Sequence, residues 1–276
     1  LSAAPYPPRE GSSPPLLRPL ETHDDLDRCV SLQRATWGDD FRELVPPAVL
    51  LVAQKVGGIS VGAFAADGQL VGFVFGITGW LDQRPLHWSH MMAVRQDQRD
   101  RGIGRRLKTE QRRRLLDAGV DRAQWTFDPL VSRNAFFNLE CLGIRVLAYV
   151  PDMYGENPMS KTDSVIGSDR FLVEWDLGHD LPATTRATGP AAEGPLITVS
   201  FDRETPWPNE PVVRIGVPTD IQAIKATDPD LARRWRTLTR AAFAHYLGAG
   251  HEIHGFGRDS DGGGWYRLEH RPRGRD

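Results

Sequence analysis

The chain has 276 residues, of which 40% are hydrophobic and 25% are charged, and its formal net charge is −2. This composition is that of a globular protein with a buried core, and the length accommodates one large domain or two small ones. The charge argues against a dedicated nucleic-acid-binding protein, which would need a basic surplus. No apolar run approaches the roughly 18 residues that would indicate a membrane span.

The cysteine content and the first residues bear on the compartment. Cys29 and Cys141 are too few for a disulfide framework or a zinc site, and both lie in apolar, helix-like surroundings. We therefore expect buried thiols in a cytoplasmic protein without a metal. The proline-rich segment 1–15 lacks the charged start and apolar centre of a signal peptide, and we expect a disordered leader there.

The first half of the chain predicts strands and helices in a definite order. Thr22 can cap a helix that runs to about Thr36, and Pro46-Pro47 opens a second helix that runs to about Gln54. The strand-like segments are 16–20, 59–65, 69–78 and 86–94. Asp67-Gly68 carries the turn signal of a hairpin between the second and third of these strands.

A glycine loop follows the end of the last of these strands. The short apolar run 91–94 leads to Arg99-Asp100-Arg101-Gly102-Ile103-Gly104, and a basic helical pattern continues over 105–118. Glycines let the backbone approach a ligand closely, and the N-terminus of the following helix favours an anion. The order of strand, loop and helix therefore predicts a pyrophosphate-binding cradle. The loop is neither a Walker motif nor the three-glycine dinucleotide motif.

A second motif follows the cradle helix. Residues 123–127 are strand-like, Asp128-Pro129 predicts a turn, and the segment 132–144 has a helical apolar stripe. The members of that stripe are Ala135, Phe136, Leu139 and Leu142. Strands over 145–150 and 171–177 would complete the sheet.

The remaining residues predict a smaller α/β extension. Segment 178–195 is rich in Pro, Thr, Ala and Gly, and we interpret it as a linker or surface excursion. Beyond it, strands are predicted over 212–217, 250–256 and 265–269, helices over 220–225 and 229–247, and a turn at Gly262-Gly263-Gly264. The longer helix has a continuous apolar stripe, so we expect residues 196–276 to pack on the core or on a second subunit.

These two motifs together resemble the GNAT acyltransferases. Arg99-x-x-Gly102-x-Gly104 is similar to the pattern by which that family holds coenzyme A. Segment 132–144 resembles the second family signature, a helix that ends in Leu-Gly-Phe. In this chain Ile144 replaces the Phe, and Ser132 stands where many members have Asn. The resemblance implies an α+β GNAT fold for residues 16–177, a mixed, mostly antiparallel twisted sheet flanked by helices.

The resemblance also implies how acyl-CoA, or coenzyme A itself, would be held. Backbone N–H groups of the loop would bind the pyrophosphate, and the backbone of the strand before it would pair with the pantetheine arm and supply an oxyanion donor. The expected cofactor-binding residues are Met92, Ala93, Val94, Arg99, Asp100, Arg101, Gly102, Ile103, Gly104, Arg105, Ser132 and Asn134.

The residues that move protons are less sharply indicated. Leu139 stands where family members often have the tyrosine that protonates the leaving thiolate. Tyr149 and Tyr154 are alternative acids, although each could be a packing residue. His90 has an intrinsic pKa suited to a general base, although a strand histidine is often structural. Asp128 could bind a substrate ammonium or could cap the turn that it begins.

The motifs 125–130 and 132–138 and the Tyr154-Gly155 pair resemble one bacterial subgroup of predicted GNAT proteins. Some of its relatives are linked to amino-acid N-acylation, including N-succinylation. The resemblance implies a small amine as acceptor, for which we expect an amino acid, and it leaves the acyl group open; we expect an acetyl or succinyl donor. The apolar stripe of helix 229–247, the net charge and the lack of a long apolar run lead us to expect a homodimer with no nucleic-acid or membrane partner. The alternatives are a non-catalytic module that binds coenzyme A or another ligand, and a protein-lysine acetyltransferase.

Overall fold

The computed structural model describes residues 14–39, 41, 43–155, 166–182, 193–201, 206–259 and 263–270. Its contacts divide the chain into two compact units, Leu1–Trp125 with Trp175–Asp180, and Thr126–Glu174 with Leu181–Asp276. Both units combine helices with mostly antiparallel strands, so the predicted α+β class is confirmed. Among the described residues, no helix combines the length and the apolar character that crossing a membrane would require.

The first unit contains a sheet with the strand order β1-β2-β3-β4-β5. Its elements are β1 (Leu16–Pro19), α1 (His23–Trp37), α2 (Pro47–Lys55), β2 (Ile59–Phe64), β3 (Leu70–Leu81), β4 (Arg84–Val94), α3 (Ile103–Asp117) and most of β5 (Arg122–Phe127). Neighbouring strands are antiparallel from β1 to β4, whereas β4 and β5 are parallel. The described residues place both α1 and α2 over the core side chains of β3 and β4.

Local sequence explains how α1 begins. The Thr22 hydroxyl accepts a hydrogen bond from the Asp25 N–H, and the Asp25 carboxylate accepts one from the Thr22 N–H, each at 3.1 Å. This capping box satisfies backbone donors that the first helical turn cannot use. The same carboxylate forms an ion pair with Arg18 in β1, and the hydrogen bond from Arg18 lowers the pKa of Asp25. The helix start is therefore tied to the neighbouring strand.

A β-bulge in β4 changes the face on which its side chains lie. Phe75 pairs with Met91 and Ile77 pairs with Trp88, so that Ser89 and His90 together oppose Gly76 of β3. A bulge of this kind reverses the alternation of side chains along a strand. Consequently Ser89 contacts α3, whereas Met91 belongs to the core beneath α1 and α2.

The second unit contains the end of β5 with β7 and β6, in the order β5-β7-β6, and a separate sheet in the order β10-β11-β9-β8. Its elements are α4 (Ser132–Phe136), which continues as π-helical turns over Phe137–Leu142, β6 (Arg145–Val150), β7 (Arg170–Asp176), β8 (Leu196–Ile197), β9 (Val212–Val217), α5 (Ile221–Thr227), α6 (Pro229–Gly248), β10 (His251–Arg258) and β11 (Gly264–His270). Strand β7 ends in the first unit, as β5 begins there.

The sequence prediction located nearly all of these elements. It missed β8, which has only two residues, and it did not show that the helix after β5 widens into π turns. The units divide within β5 and β7, so the predicted division at residues 177 and 178 stays a prediction. Residues 1–13 of the expected leader, most of the expected linker and Gly262 of the expected turn lie outside the described residues.

Candidate functional site

The predicted cradle is a turn of left-handed residues that leads into α3. Asp100 has φ 60° and Gly102 has φ 74°, and Gly102 is the N-cap residue of α3. A Cβ added at Gly102 would meet no atom within 4 Å, so the backbone is open on the side where a side chain would lie. The helix itself does not use the N–H groups of its first turn. The loop can therefore receive an anion at the positive end of the helix dipole.

Arg99 connects the cradle to β4, the strand before it. The Arg99 Nε donates to the Val94 carbonyl at 3.1 Å. The Arg95 N–H donates to the Val71 carbonyl of β3 at 2.9 Å. Because N–H groups alternate between the two edges of a strand, those of Met92 and Val94 point away from β3, toward the β5 side. Strand β4 pairs with β5 at His87–Ala123 and Trp88–Gln124, ahead of these groups.

His90 lies in the bulge at the middle of β4. Its ring stands edge-on to Phe75, with 6.0 Å between the ring centroids. Partial desolvation by these surroundings lowers the pKa of His90, although Glu43 opposes the shift. The imidazole is therefore neutral at pH 7, which is the form that a general base requires. Its role as a base stays a prediction.

The predicted residues of the second unit surround the end of β5. The Tyr154 hydroxyl is 2.8 Å from the Thr126 hydroxyl, and the Tyr154 residue is 46% exposed. The Arg170 guanidinium lies 5.4 Å from the centroid of the Tyr154 ring and 4.0 Å from the Asp128 carboxylate. Tyr154, Asp128 and Arg170 thus form one polar group.

Asp128 has the capping role, one of the two interpretations left open by the sequence, and its binding of a substrate ammonium stays a prediction. Its Oδ1 accepts the Leu130 N–H at 2.9 Å, so it caps the turn that it begins. Its Oδ2 accepts a hydrogen bond from Arg236 of α6 at 2.8 Å. The carboxylate therefore already has a cationic partner from within the chain, and a substrate ammonium would have to share it.

Tyr149 is in a different environment from Tyr154. Its hydroxyl donates to the buried Asp169 carboxylate, and its ring lies 5.6 Å from the Phe171 ring. Burial, together with this carboxylate, raises the pKa of Tyr149 well above its usual value. Its hydroxyl proton is thus engaged by Asp169, whereas Tyr154 is an exposed residue. The role of either tyrosine as the acid stays a prediction.

The remaining predicted positions lie on α4 and its continuation. Ser132 begins α4 and is buried, whereas Asn134 is exposed, with its N–H bonded to the Val131 carbonyl at 2.9 Å. Leu139, the residue at the position of the absent tyrosine, is buried. Among the described residues, no group of three or more His, Cys, Asp or Glu side chains could hold a metal ion.

The sequence analysis missed several polar residues near the predicted site residues or buried in the first unit. Thr126, Arg170 and Arg236 contact predicted residues directly, and Lys108 is buried beneath Trp125 within the first unit. The two arginines and the lysine resemble ordinary surface cations in a sequence, because their burial depends on partners far along the chain. A signal existed only for Arg236, which falls among the apolar positions of α6.

A comparison with protein families finds a match over the part of the chain that contains the cradle. Residues 26–140, less than half of the chain, match the model of the acetyltransferase (GNAT) family. No curated protein matches the sequence.

Solved structures that resemble the chain include three acetyltransferase-related proteins. An aminoglycoside 6'-N-acetyltransferase complexed with coenzyme A is 15% identical, with a TM-score of 0.44, over 59% of this chain and 97% of its own. The ribosomal-protein-S18-alanine N-acetyltransferase of Escherichia coli is 15% identical, with a TM-score of 0.45, over 61% and 97%. The Salmonella typhimurium protein yncA, with its cofactor acetyl-CoA, is 16% identical, with a TM-score of 0.46, over 63% and 99%. The similarity to the acetyltransferase (GNAT) family thus lies in segment 26–140, which holds the cradle.

Proposed function

We propose that the protein transfers an acyl group from acyl-CoA to the amine of a small acceptor. The observation that carries this proposal is the cradle at the N-terminus of α3. Its left-handed Asp100 and Gly102 leave the backbone open toward a ligand, and the helix dipole favours a pyrophosphate there. The family of segment 26–140 supports coenzyme A as the carrier of that pyrophosphate.

The residues of this chain would divide the chemistry as follows. Bound acyl-CoA supplies a thioester whose carbonyl is attacked by the amine. The Met92 and Val94 N–H groups, which point away from β3, would hold the pantetheine arm and stabilise the negative charge that develops on the acyl oxygen. His90, neutral at pH 7, would accept the proton of the amine. Tyr154, accessible and bonded to Thr126, would protonate the departing thiolate.

The acceptor class and the acyl group rest on the resemblance of segments 125–130 and 132–138 to one bacterial subgroup. On that basis we propose an amino acid or similar small amine as acceptor, an acetyl or succinyl donor, and a homodimer that acts in the cytoplasm. The net charge of −2 is consistent with a partner that is a small molecule and not a nucleic acid.

A direct test is to measure the release of free thiol from acyl-CoA with and without candidate amines. Wild-type protein should release thiol only when both substrates are present. Gly102→Val should abolish coenzyme A binding, because the added side chain occupies the space that the phosphates need. Gly119 provides a matched control at the other end of α3, since it has φ 76° and no atom within 4 Å of an added Cβ. Gly119→Val should bear a similar strain and keep the affinity for coenzyme A.

The buried Leu139 favours one alternative, a module that binds coenzyme A without turnover. In that case calorimetry would detect binding that Gly102→Val removes, whereas no amine would release thiol. If wild type and Gly102→Val bind coenzyme A equally, the proposal fails at its first step.

A further inference from the structure

Two residues of the C-terminal extension (residues 196–276) form hydrogen bonds with the turn 128–130 at the end of β5. Arg236 of α6 donates through Nη2 to the Asp128 carboxylate at 2.8 Å. Tyr266 of β11 donates its hydroxyl to the Pro129 carbonyl at 2.8 Å. All four residues belong to the same compact unit. The turn is thus held by its side chain and by its backbone, from two separate elements.

The Arg236 contact is buried and part of a larger ion-pair cluster. The Arg236 side chain is 4% exposed, and its Nε also donates to the Ile166 carbonyl at 3.2 Å. One turn further along α6, Arg240 donates through Nε to Asp169 at 2.9 Å and through Nη2 to Asp152 at 2.9 Å. Buried charges persist only where partners and hydrogen bonds compensate their desolvation. The position of α6 against this turn is therefore closely defined.

The Tyr266 contact supplies a donor that the turn lacks by itself. The turn uses the Leu130 N–H on Asp128 Oδ1 and the Val131 N–H on the Asp128 carbonyl, at 2.9 and 3.1 Å. Neither bond satisfies the carbonyl of the buried Pro129, which needs a partner because buried backbone acceptors are rarely left unpaired. The fully buried Tyr266, packed with Phe171 and Phe256, delivers its hydroxyl to that carbonyl.

The turn lies between two parts of the proposed site. Thr126, which is bonded to the Tyr154 hydroxyl, precedes it by two residues, and Ser132, the first residue of α4, follows it by two. A displacement of the turn would shift both neighbours, since the intervening backbone is short. Displacements of about 1 Å near reacting groups lower rates strongly.

We propose that Arg236 and Tyr266 are positioning residues for acyl transfer, and that the C-terminal extension completes the proposed site by fixing the turn 128–130. This inference rests on the proposed function for its catalytic consequence. Its structural part, the fixing of the turn, stands on the contacts alone.

The experiment compares Tyr266→Phe with Tyr246→Phe in the full-length protein. Tyr246 is a matched control, because it is also a buried tyrosine of the extension and donates its hydroxyl to another proline carbonyl, that of Pro208, at 2.9 Å. Each variant loses one hydroxyl and one hydrogen bond. We measure kcat and KM for the amine, the affinity for coenzyme A, and backbone hydrogen exchange of residues 128–135, at a temperature where all variants are folded.

Tyr266→Phe should lower kcat at least about fivefold and accelerate exchange over 128–135, whereas Tyr246→Phe should stay within about twofold of wild type in both readouts. Equal kinetics and equal exchange in the two variants would overturn the proposal, because the turn would then not depend on Tyr266. Slowed turnover in Tyr266→Phe without faster exchange would also overturn it, since the effect would not pass through the turn.

Arg236 provides a second, independent arm. Arg236→Met should lower kcat and accelerate exchange over the same residues, and Arg236→Lys, which keeps the charge opposite Asp128, should restore part of both. Arg233→Met is the control on the same helix, because Arg233 is exposed and pairs with Asp230, which is also exposed. Arg236→Met that matches Arg233→Met in both readouts contradicts the proposal.

The two proposals fail in different ways. If wild type releases no thiol with any amine, the proposed function is wrong, and the exchange measurement still decides whether the extension fixes the turn. If wild type is active and the Tyr266 and Arg236 variants behave like their controls, the proposed function stands and this inference is wrong.

Discussion

Lys108 should make the stability of this protein rise with pH above neutrality. Its side chain is buried on α3, and its Nζ lies 2.7 Å from the Ser89 hydroxyl, 3.1 Å from Gln111 Oε1 and 3.8 Å from the centroid of the Trp125 ring. Three N–H groups therefore have three acceptors, but no carboxylate contributes to the pKa of Lys108. Burial lowers that pKa from 10.5 to about 7.

The magnitude and sign follow from proton linkage. A fall of the pKa from 10.5 to about 7, at about 1.36 kcal/mol per pH unit, means that protonation of Lys108 is about 5 kcal/mol less favourable in the folded chain than in the unfolded chain. The cation–π contact with Trp125 favours the ammonium, so this is an upper bound. Between about pH 7 and pH 10.5 the unfolded chain binds the proton more strongly than the folded one, so the free energy of unfolding rises with pH across that window. Burial lowers the pKa of His87 to about 3, and this neighbour stays neutral throughout.

The assay is urea unfolding of wild type and Lys108→Met between pH 6.5 and 9.5. Methionine fills similar space without a charge, and Gln111 Oε1 keeps a donor in the Ser89 hydroxyl at 3.2 Å. The free energy of unfolding of wild type, minus that of the variant, should increase by up to about 1.4 kcal/mol per pH unit. Lys55→Met, which alters an exposed lysine of α2, should show no such slope relative to wild type. A difference between wild type and Lys108→Met that is flat in pH would refute the reasoning, because Lys108 would then keep its proton in the folded protein.

The proposed site leads to three further predictions. If His90 is the general base, kcat/KM should rise with pH through an apparent pKa below 6.5, since desolvation lowers the pKa of His90. The variant His90→Ala should then lose this rise, whereas an unchanged profile would assign deprotonation of the amine to the solvent. Tyr154→Phe should lower kcat with little change in coenzyme A affinity, because it removes the hydroxyl next to Thr126, and equal kcat values would exclude Tyr154 as the acid. A chain ending at Leu177 should be insoluble or melt at a lower temperature, because it loses the partners of Asp128 and Phe171, whereas a soluble fragment with the wild-type melting temperature would show the extension to be independent.

The sequence alone determined the local features of this protein. The Thr22 cap of α1, the glycine loop before α3 and the limits of β6 at residues 145–150 are all predicted by the residues at those positions. Each depends on backbone conformation, on hydrogen bonds within one turn, or on a periodic pattern, and these are encoded within a few neighbouring residues. For the same reason the residues of segment 91–105 are sufficient to locate the cradle.

Only the tertiary structure decided which charged residues are buried and what they contact. Lys108 lies in the basic helical stretch 105–118, whose pattern does not show that this one cation is buried. Arg236 lies on α6, and its partner Asp128 is 108 residues away. The β4 bulge that places Ser89 and His90 opposite Gly76 likewise depends on strand register. The free energy of burying a charge or shifting a register is set by partners that the fold brings together, and a local pattern does not identify those partners, even where, as at Arg236, it indicates a buried position.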